Sequence, residues 1–172
     1  MQKVILVGYM GSGKSFIGKL LSEKTGLLFL DLDEIIESQE NCSIKTIFET
    51  QGEIYFRKKE HLIFKELMLN KNSFILGLGG GTPCYANNHE MLALEKVISI
   101  YLNASIGTLY SRLILEKSKR PIITNKTESE LKEFIAKHLF ERSYFYNQAK
   151  YKIDVNNKPV GEIIFEIEKL LA

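Results

Sequence analysis

Eight residues near the amino terminus constrain this chain more than any other feature. Gly8-Tyr9-Met10-Gly11-Ser12-Gly13-Lys14-Ser15 follows a short apolar run, Val4-Ile5-Leu6-Val7, and opens an apolar-periodic stretch. The order is strand, glycine-rich loop, helix. The pattern G-x-x-x-x-G-K-[ST] uses small residues so that backbone N–H groups can turn inward and cradle phosphate oxygens. The first helical turn adds unpaired N–H groups and the positive end of its dipole. Lys14 can reach the β- and γ-phosphates, and the Ser15 hydroxyl can ligate Mg²⁺. At average residue usage the pattern arises by chance in roughly one chain in a hundred or fewer. Gly11, Ser12, Gly13, Lys14 and Ser15 are therefore the expected cradle for a nucleoside triphosphate.

Apolar strand candidates alternate with helical periods along the rest of the chain. The strands are expected at Lys3–Val7, Leu28–Leu32, Phe74–Leu78, Val97–Leu102 and Tyr151–Val155. Helices are expected at Lys14–Thr25, Asp33–Gln39, Ile44–Thr50, Glu53–Asn70, Asn88–Leu94, Ser105–Leu115, Glu128–Ala149 and Pro159–Leu171. Gly26 fits a helix stop, Thr127 with Glu130 a capping box, and Pro159 a first helical turn. Short continuous apolar runs suit parallel strands covered on both faces. The repetition predicts an open, mostly parallel sheet with helices on both faces, in one domain spanning 1–172. The cluster of helices over about 33–70 exceeds what one crossover needs. It reads as a substrate-binding insertion over the carboxyl ends of the strands. The polar stretch 116–127 reads as a mobile loop.

Composition narrows the function classes. Of 172 residues, 45% are apolar and 26% charged, and the formal net charge is +2, as in an ordinary soluble globule. No basic block is interleaved with aromatics, which argues against nucleic-acid binding. No apolar run approaches membrane-spanning length. The first strand starts almost at once, without a cationic and apolar leader, so a cytoplasmic protein is expected. Cys42 and Cys84 match no metal spacing and read as free thiols. His61, His89 and His138 are scattered and read as surface or partly buried helix residues.

Four further constellations carry chemistry. Leu30-Asp31-Leu32-Asp33 ends the second strand, and alternation turns both carboxylates the same way if the strand stays extended. One could hold Mg²⁺ through water, and the other could orient or deprotonate an acceptor hydroxyl. Asp33 could instead cap the following helix. Gly79-Gly80-Gly81 allows backbone to approach a ligand, or simply to bend before Pro83. Arg57 and Arg142 each continue an apolar stripe of a helix. Their anionic partner is either an internal carboxylate or a ligand carboxylate held bidentately, and spacing alone leaves both open. Arg120, in Glu116-Lys117-Ser118-Lys119-Arg120-Pro121, is either part of a solvated charge run or a lid arginine acting on γ-phosphate.

In this order the residues resemble the shikimate kinase family, over nearly the whole chain. The carriers are the phosphate loop at 8–15, the acidic pair at 30–33, Gly52-Glu53 with Phe56-Arg57, the triple glycine, Lys119-Arg120-Pro121-Ile122-Ile123, and Glu141-Arg142 with Tyr146. The resemblance implies an α/β nucleoside-monophosphate-kinase-like fold: three layers, α/β/α, around a five-stranded parallel sheet of order 2-3-1-4-5, with a lid at about 116–127. It implies transfer of the ATP γ-phosphate to the 3-hydroxyl of shikimate, with one Mg²⁺, in a monomer. Lys14, Asp33 and Arg120 would be catalytic. Ser15 and Asp31 would serve the metal. Arg57, Arg142, Gly79, Gly80 and Gly81 would bind the acceptor with Asp33, and its carboxylate would be the arginines' partner. Asn157 aligns with the adenine contact, and Arg112 falls near the nucleotide. Two departures stand out: Ile122-Ile123 replaces a leucine pair, and the loop 154–159 is short. A kinase of another polyol acid such as gluconate, or a nucleotide-switched regulatory protein, are the competing readings.

Overall fold

In the computed structural model, which describes residues 2–116 and 122–172, five strands and seven α-helices alternate. The strands are β1 (Lys3–Val7), β2 (Leu28–Asp31), β3 (Phe74–Gly77), β4 (Val97–Asn103) and β5 (Tyr151–Asp154). The helices are α1 (Lys14–Thr25), α2 (Leu32–Glu40), α3 (Ile44–Thr50), α4 (Glu53–Leu69), α5 (Ile106–Leu115), α6 (Glu128–Tyr146) and α7 (Val160–Leu171). All strand pairs are parallel, in the order β2-β3-β1-β4-β5. No helix among the described residues is long and apolar enough to cross a membrane.

The apolar runs become strands where two neighbours cover them. In β1, Val4, Ile5, Leu6 and Val7 are at most 1% exposed. At about 1.5–3 kcal/mol for each such side chain, this strand is a rigid base for the loop that follows it. The edge strands lack that protection: Leu28 in β2 is 64% exposed, and three of the four β5 residues are exposed. Asp31 is in register with Gly77, and Gly77 with Leu6. The parallel sheet therefore brings the loop after β1, the acidic end of β2 and the glycines after β3 to one edge.

Helix boundaries follow their local chemistry. Gly26 ends α1 in the left-handed conformation, φ 72°, with its N–H on the Ser22 carbonyl. Thr127 and Glu130 form the reciprocal capping box of α6. Four expectations need correction. Asn88–Ala93 is a 3₁₀ helix rather than an α-helix, and α6 stops at Tyr146 rather than Ala149. The strand expected to reach Leu32 stops at Asp31, so Asp33 sits in the first turn of α2. Asp31, not Asp33, caps that helix: its Oδ1 accepts from the N–H groups of Asp33 and Glu34 at 3.0 and 3.5 Å.

Candidate active site

The glycine-rich loop turns because three of its residues, Gly8 (φ 153°), Gly11 and Gly13, take backbone conformations that side chains resist. Gly11 has φ 82° and Gly13, the N-cap of α1, has φ 101°. The loop then presents the amino terminus of α1 to a cleft of about 650 Å³. Lys14 lies across the loop, its Nζ donating to the carbonyls of Gly8 and Tyr9 at 2.7 and 3.1 Å. Arg112, on the last turn of α5, clasps the other side. It donates to the Gly11 and Ser12 carbonyls at 3.1 and 3.2 Å and to the Val155 carbonyl at 3.1 Å. One guanidinium thus ties the phosphate loop to the end of β5.

The acidic pair meets this cleft from the neighbouring element. Ser15 Oγ donates to Asp31 Oδ2 at 2.9 Å, while Asp31 Oδ1 holds the start of α2. A hydroxyl and a carboxylate, both hard oxygen donors, fit Mg²⁺, which keeps several waters and takes few protein ligands. The described residues contain no cluster of three or more His, Cys, Asp or Glu, so a self-sufficient protein cage is not on offer. Asp33 also lines the cleft. Burial, then the charges of Asp31 and Glu60, push its carboxyl up to about 6, with Lys14 pulling the other way. A base poised near neutrality suits proton transfer from a hydroxyl.

The triple glycine is required by what stands against it. None of the three has a positive φ, so their role is space rather than backbone freedom. A Cβ at Gly79 would come within 2.9 Å of Asp33 Oδ1. One at Gly80 would meet Arg142 Nη1 at 3.3 Å, and one at Gly81 would meet Arg57 Nη2 at 2.8 Å. The glycine loop is the floor on which Asp33 and both arginines converge.

The two arginines differ in their partners. On α4 the buried face is Phe56, Glu60, Ile63 and Phe64, whereas Ile54 is 76% exposed, so Arg57 sits at the margin of the buried stripe. Its Nη1 donates to Glu60 Oε2 at 2.9 Å, and its Nε lies 3.5 Å from Glu53. Its guanidinium carbon also lies 3.9 Å from the centre of the Tyr85 ring. Glu60 is 1% exposed and accepts a second bond from Thr82 Oγ1 at 2.6 Å. For Arg57 the internal carboxylate is therefore real, and substrate cannot be its sole partner. It faces a second groove, with Ile54, His61, Leu62 and Tyr85. Arg142 makes no ion pair among the described residues. Its guanidinium lies 5.7 Å from the Tyr9 ring centre and beside the Tyr146 phenol. Burial pushes the nearby Cys84 thiol up to about 11, so no thiolate competes for this charge.

Two expected residues stand apart. Arg120 lies outside the described residues. Asn157 is exposed in the left-handed conformation, φ 51°, and is not among the described residues lining the cleft. Lys158, next in the chain, does line it and pairs with Glu166 at 2.6 Å. Sequence reasoning also missed Glu60 and the Tyr85 stack. The Arg57–Glu60 spacing of three on one helix was a readable signal for the first. Nothing in the sequence pointed to Tyr85.

Known proteins resemble this chain over nearly its whole length. A family model described as shikimate kinase matches residues 10–172. A shikimate kinase of Flavobacterium johnsoniae is 56% identical over 172 residues, covering 100% of both chains. The crystal structure of a shikimate kinase from Bacteroides thetaiotaomicron superposes with a TM-score of 0.91 at 31% identity, covering 99% of this chain and 98% of that one. A shikimate kinase from Acinetobacter baumannii in complex with shikimate gives a TM-score of 0.86 at 30% identity, covering 99% and 93%.

Proposed function

The chain belongs to the shikimate kinase family, and from that premise we propose how its own residues share the work. The enzyme transfers the γ-phosphoryl group of ATP to the 3-hydroxyl of shikimate, giving shikimate 3-phosphate and ADP on the route to chorismate and the aromatic amino acids. Phosphoryl transfer leaves the protein mainly positioning and electrostatic work. The loop from Gly11 to Ser15 holds the triphosphate, and Lys14 offsets charge growing on its β- and γ-oxygens. Mg²⁺, when bound, would be held by Ser15 and, through water, by Asp31, and would offset phosphate charge. Asp33 orients the acceptor hydroxyl and takes its proton. Arg142 and Arg57 hold the acceptor carboxylate over the glycine loop. Arg120 keeps the role implied by resemblance, stabilising the transferring phosphoryl group. Residues 33–70 serve as the acceptor-binding insertion and 116–127 as the lid of a single domain. The protein acts as a cytoplasmic monomer.

One observation carries this reading most. Arg142, without an internal carboxylate among the described residues, faces the same glycine floor as Asp33, a base held near neutrality beside the phosphate loop. A cation and a base on one floor suit an acceptor bearing both a carboxylate and a hydroxyl. Measuring ADP release with Mg-ATP against shikimate, gluconate, nucleoside monophosphates and no acceptor tests it. Shikimate should be the preferred acceptor by far. Equal release without acceptor would favour a nucleotide-switched protein.

The unequal pairing of the arginines gives a sharper expectation. Arg142→Ala should raise the KM for shikimate by roughly 30-fold or more, from about 2 kcal/mol for a charge-assisted pair. ATP affinity and melting temperature should stay near the parent values. Arg57→Ala should weaken shikimate binding and also lower stability, because it strands the buried Glu60 carboxylate. Equal losses of stability in the two variants would show that Arg142 serves the fold.

A further inference from the structure

The three glycines have used their carbonyls and kept their amides. The Gly79 carbonyl accepts from Thr82 N at 3.1 Å, and the Gly81 carbonyl from Cys84 N at 2.9 Å. The Gly80 carbonyl accepts from the Tyr146 hydroxyl at 2.6 Å. The N–H groups of Gly79, Gly80 and Gly81 have no hydrogen-bond partner among the described residues. In a planar trans peptide the N–H points opposite to the C=O of the same unit. Fixing the Gly80 carbonyl toward Tyr146 therefore turns the Gly81 N–H to the other side. The bond from Thr82 does the same for the Gly80 N–H.

Tyr146 is itself over-determined. It is fully buried on the last turn of α6, and its ring lies 5.2 Å from that of Tyr101. It stands one helical turn after Arg142, whose guanidinium lies against Gly80. The phenol has one proton to donate and lone pairs left to accept. The proton goes to Gly80, and the oxygen faces Arg142.

We propose that Tyr146 is a positioning residue for acceptor binding: its hydroxyl locks the Gly80 carbonyl so that the Gly81 amide stays available, and holds Arg142 over the glycine loop. This rests on the shikimate kinase reading. In this role Tyr146 acts through Gly80 and Arg142.

Tyr146→Phe keeps the ring and removes only the hydroxyl. The KM for shikimate should rise about tenfold, the cost of leaving the Gly80 carbonyl without its hydrogen bond. The kcat at saturating shikimate and the KM for ATP should stay within about threefold. Tyr101→Phe alters the stacked ring partner without reaching Gly80, and should leave all three constants unchanged. A lower melting temperature with an unchanged shikimate KM would make Tyr146 a core residue only and overturn the proposal. Amide exchange of wild-type protein gives a second reading if the variant does not fold. The Gly80 and Gly81 amides should exchange fast without ligand and slow on adding shikimate. Protection before shikimate is added would overturn the proposal, because the amides would already be engaged. Wild-type turnover with shikimate is measured alongside, so failure of the functional reading shows in the parent and failure of the Tyr146 role only in the variant.

Discussion

Lys14→Ala is expected to lower kcat by about 10²–10³-fold, the scale for removing one preorganised charge donor from a developing anion. The ammonium lies at the mouth of the phosphate loop, within 3.1 Å of two loop carbonyls. From there a rotation about its flexible stem reaches phosphate oxygens, as the loop's sequence pattern requires. Its interaction grows as charge moves onto the leaving and transferring oxygens, so kcat should suffer more than nucleotide affinity. The loop itself should survive. It is anchored by β1, by the Arg112 clasp and by the Ser12 N–H on the Tyr9 carbonyl at 3.1 Å. Lys14→Met, which keeps the stem, should behave like the alanine variant. Single-turnover rates with ATP titrations check this. Turnover within a few-fold of the parent would remove Lys14 from the chemistry. A collapse of ATP affinity with kcat intact would make it a ground-state anchor.

What the sequence reveals here depends on how local the determining interactions are. The phosphate loop, the Gly26 stop and the Thr127–Glu130 capping box are legible because their partners lie within a few residues of each other. The strand order enters through family resemblance, since apolar periodicity cannot say which strands are neighbours. The end of β2 shifts for a local reason, although Asp31 and Asp33 both line the cleft. Alternation assumes that the strand continues, but Asp31 captures the next helix's N–H groups and turns the chain one residue early. Arg57 shows the limit of stripe counting. An arginine at helical spacing can face a groove while its neighbour Glu60 takes the buried position. In the sequence the triple glycine signals backbone approach to a ligand or a bend before Pro83, yet the nearest neighbours of its missing side chains are Asp33, Arg142 and Arg57. Those contacts link residues far apart in sequence, and no spacing rule reports them.

Asp33→Asn should cut kcat by roughly 10²–10⁴-fold, the range for losing general acid–base assistance, while ATP binding stays close to the parent. The amide keeps the shape and can still hydrogen-bond the acceptor, but it cannot take the proton. The same substitution should stabilise the protein at neutral pH. In the fold, burial and the charges of Asp31 and Glu60 raise the Asp33 carboxyl from 3.8 to about 6. The folded state thus holds this proton more tightly than the unfolded state does. Its stabilising contribution is complete below 3.8 and is lost as pH rises through about 6. The ionised form above that pH carries a cost of up to about 3 kcal/mol, which asparagine removes. The gain in melting temperature should therefore be largest above pH 7 and shrink below pH 4 (about the unfolded pKa). Denaturation of parent and variant across that range, with kcat measured in parallel, checks both halves. An inactive variant with no stability gain would mean that Asp33 is not held against its own ionisation. A variant of normal turnover would return the proton to another base. Loss of activity with gain of stability is the signature of a carboxylate kept at its post for chemistry and against the fold.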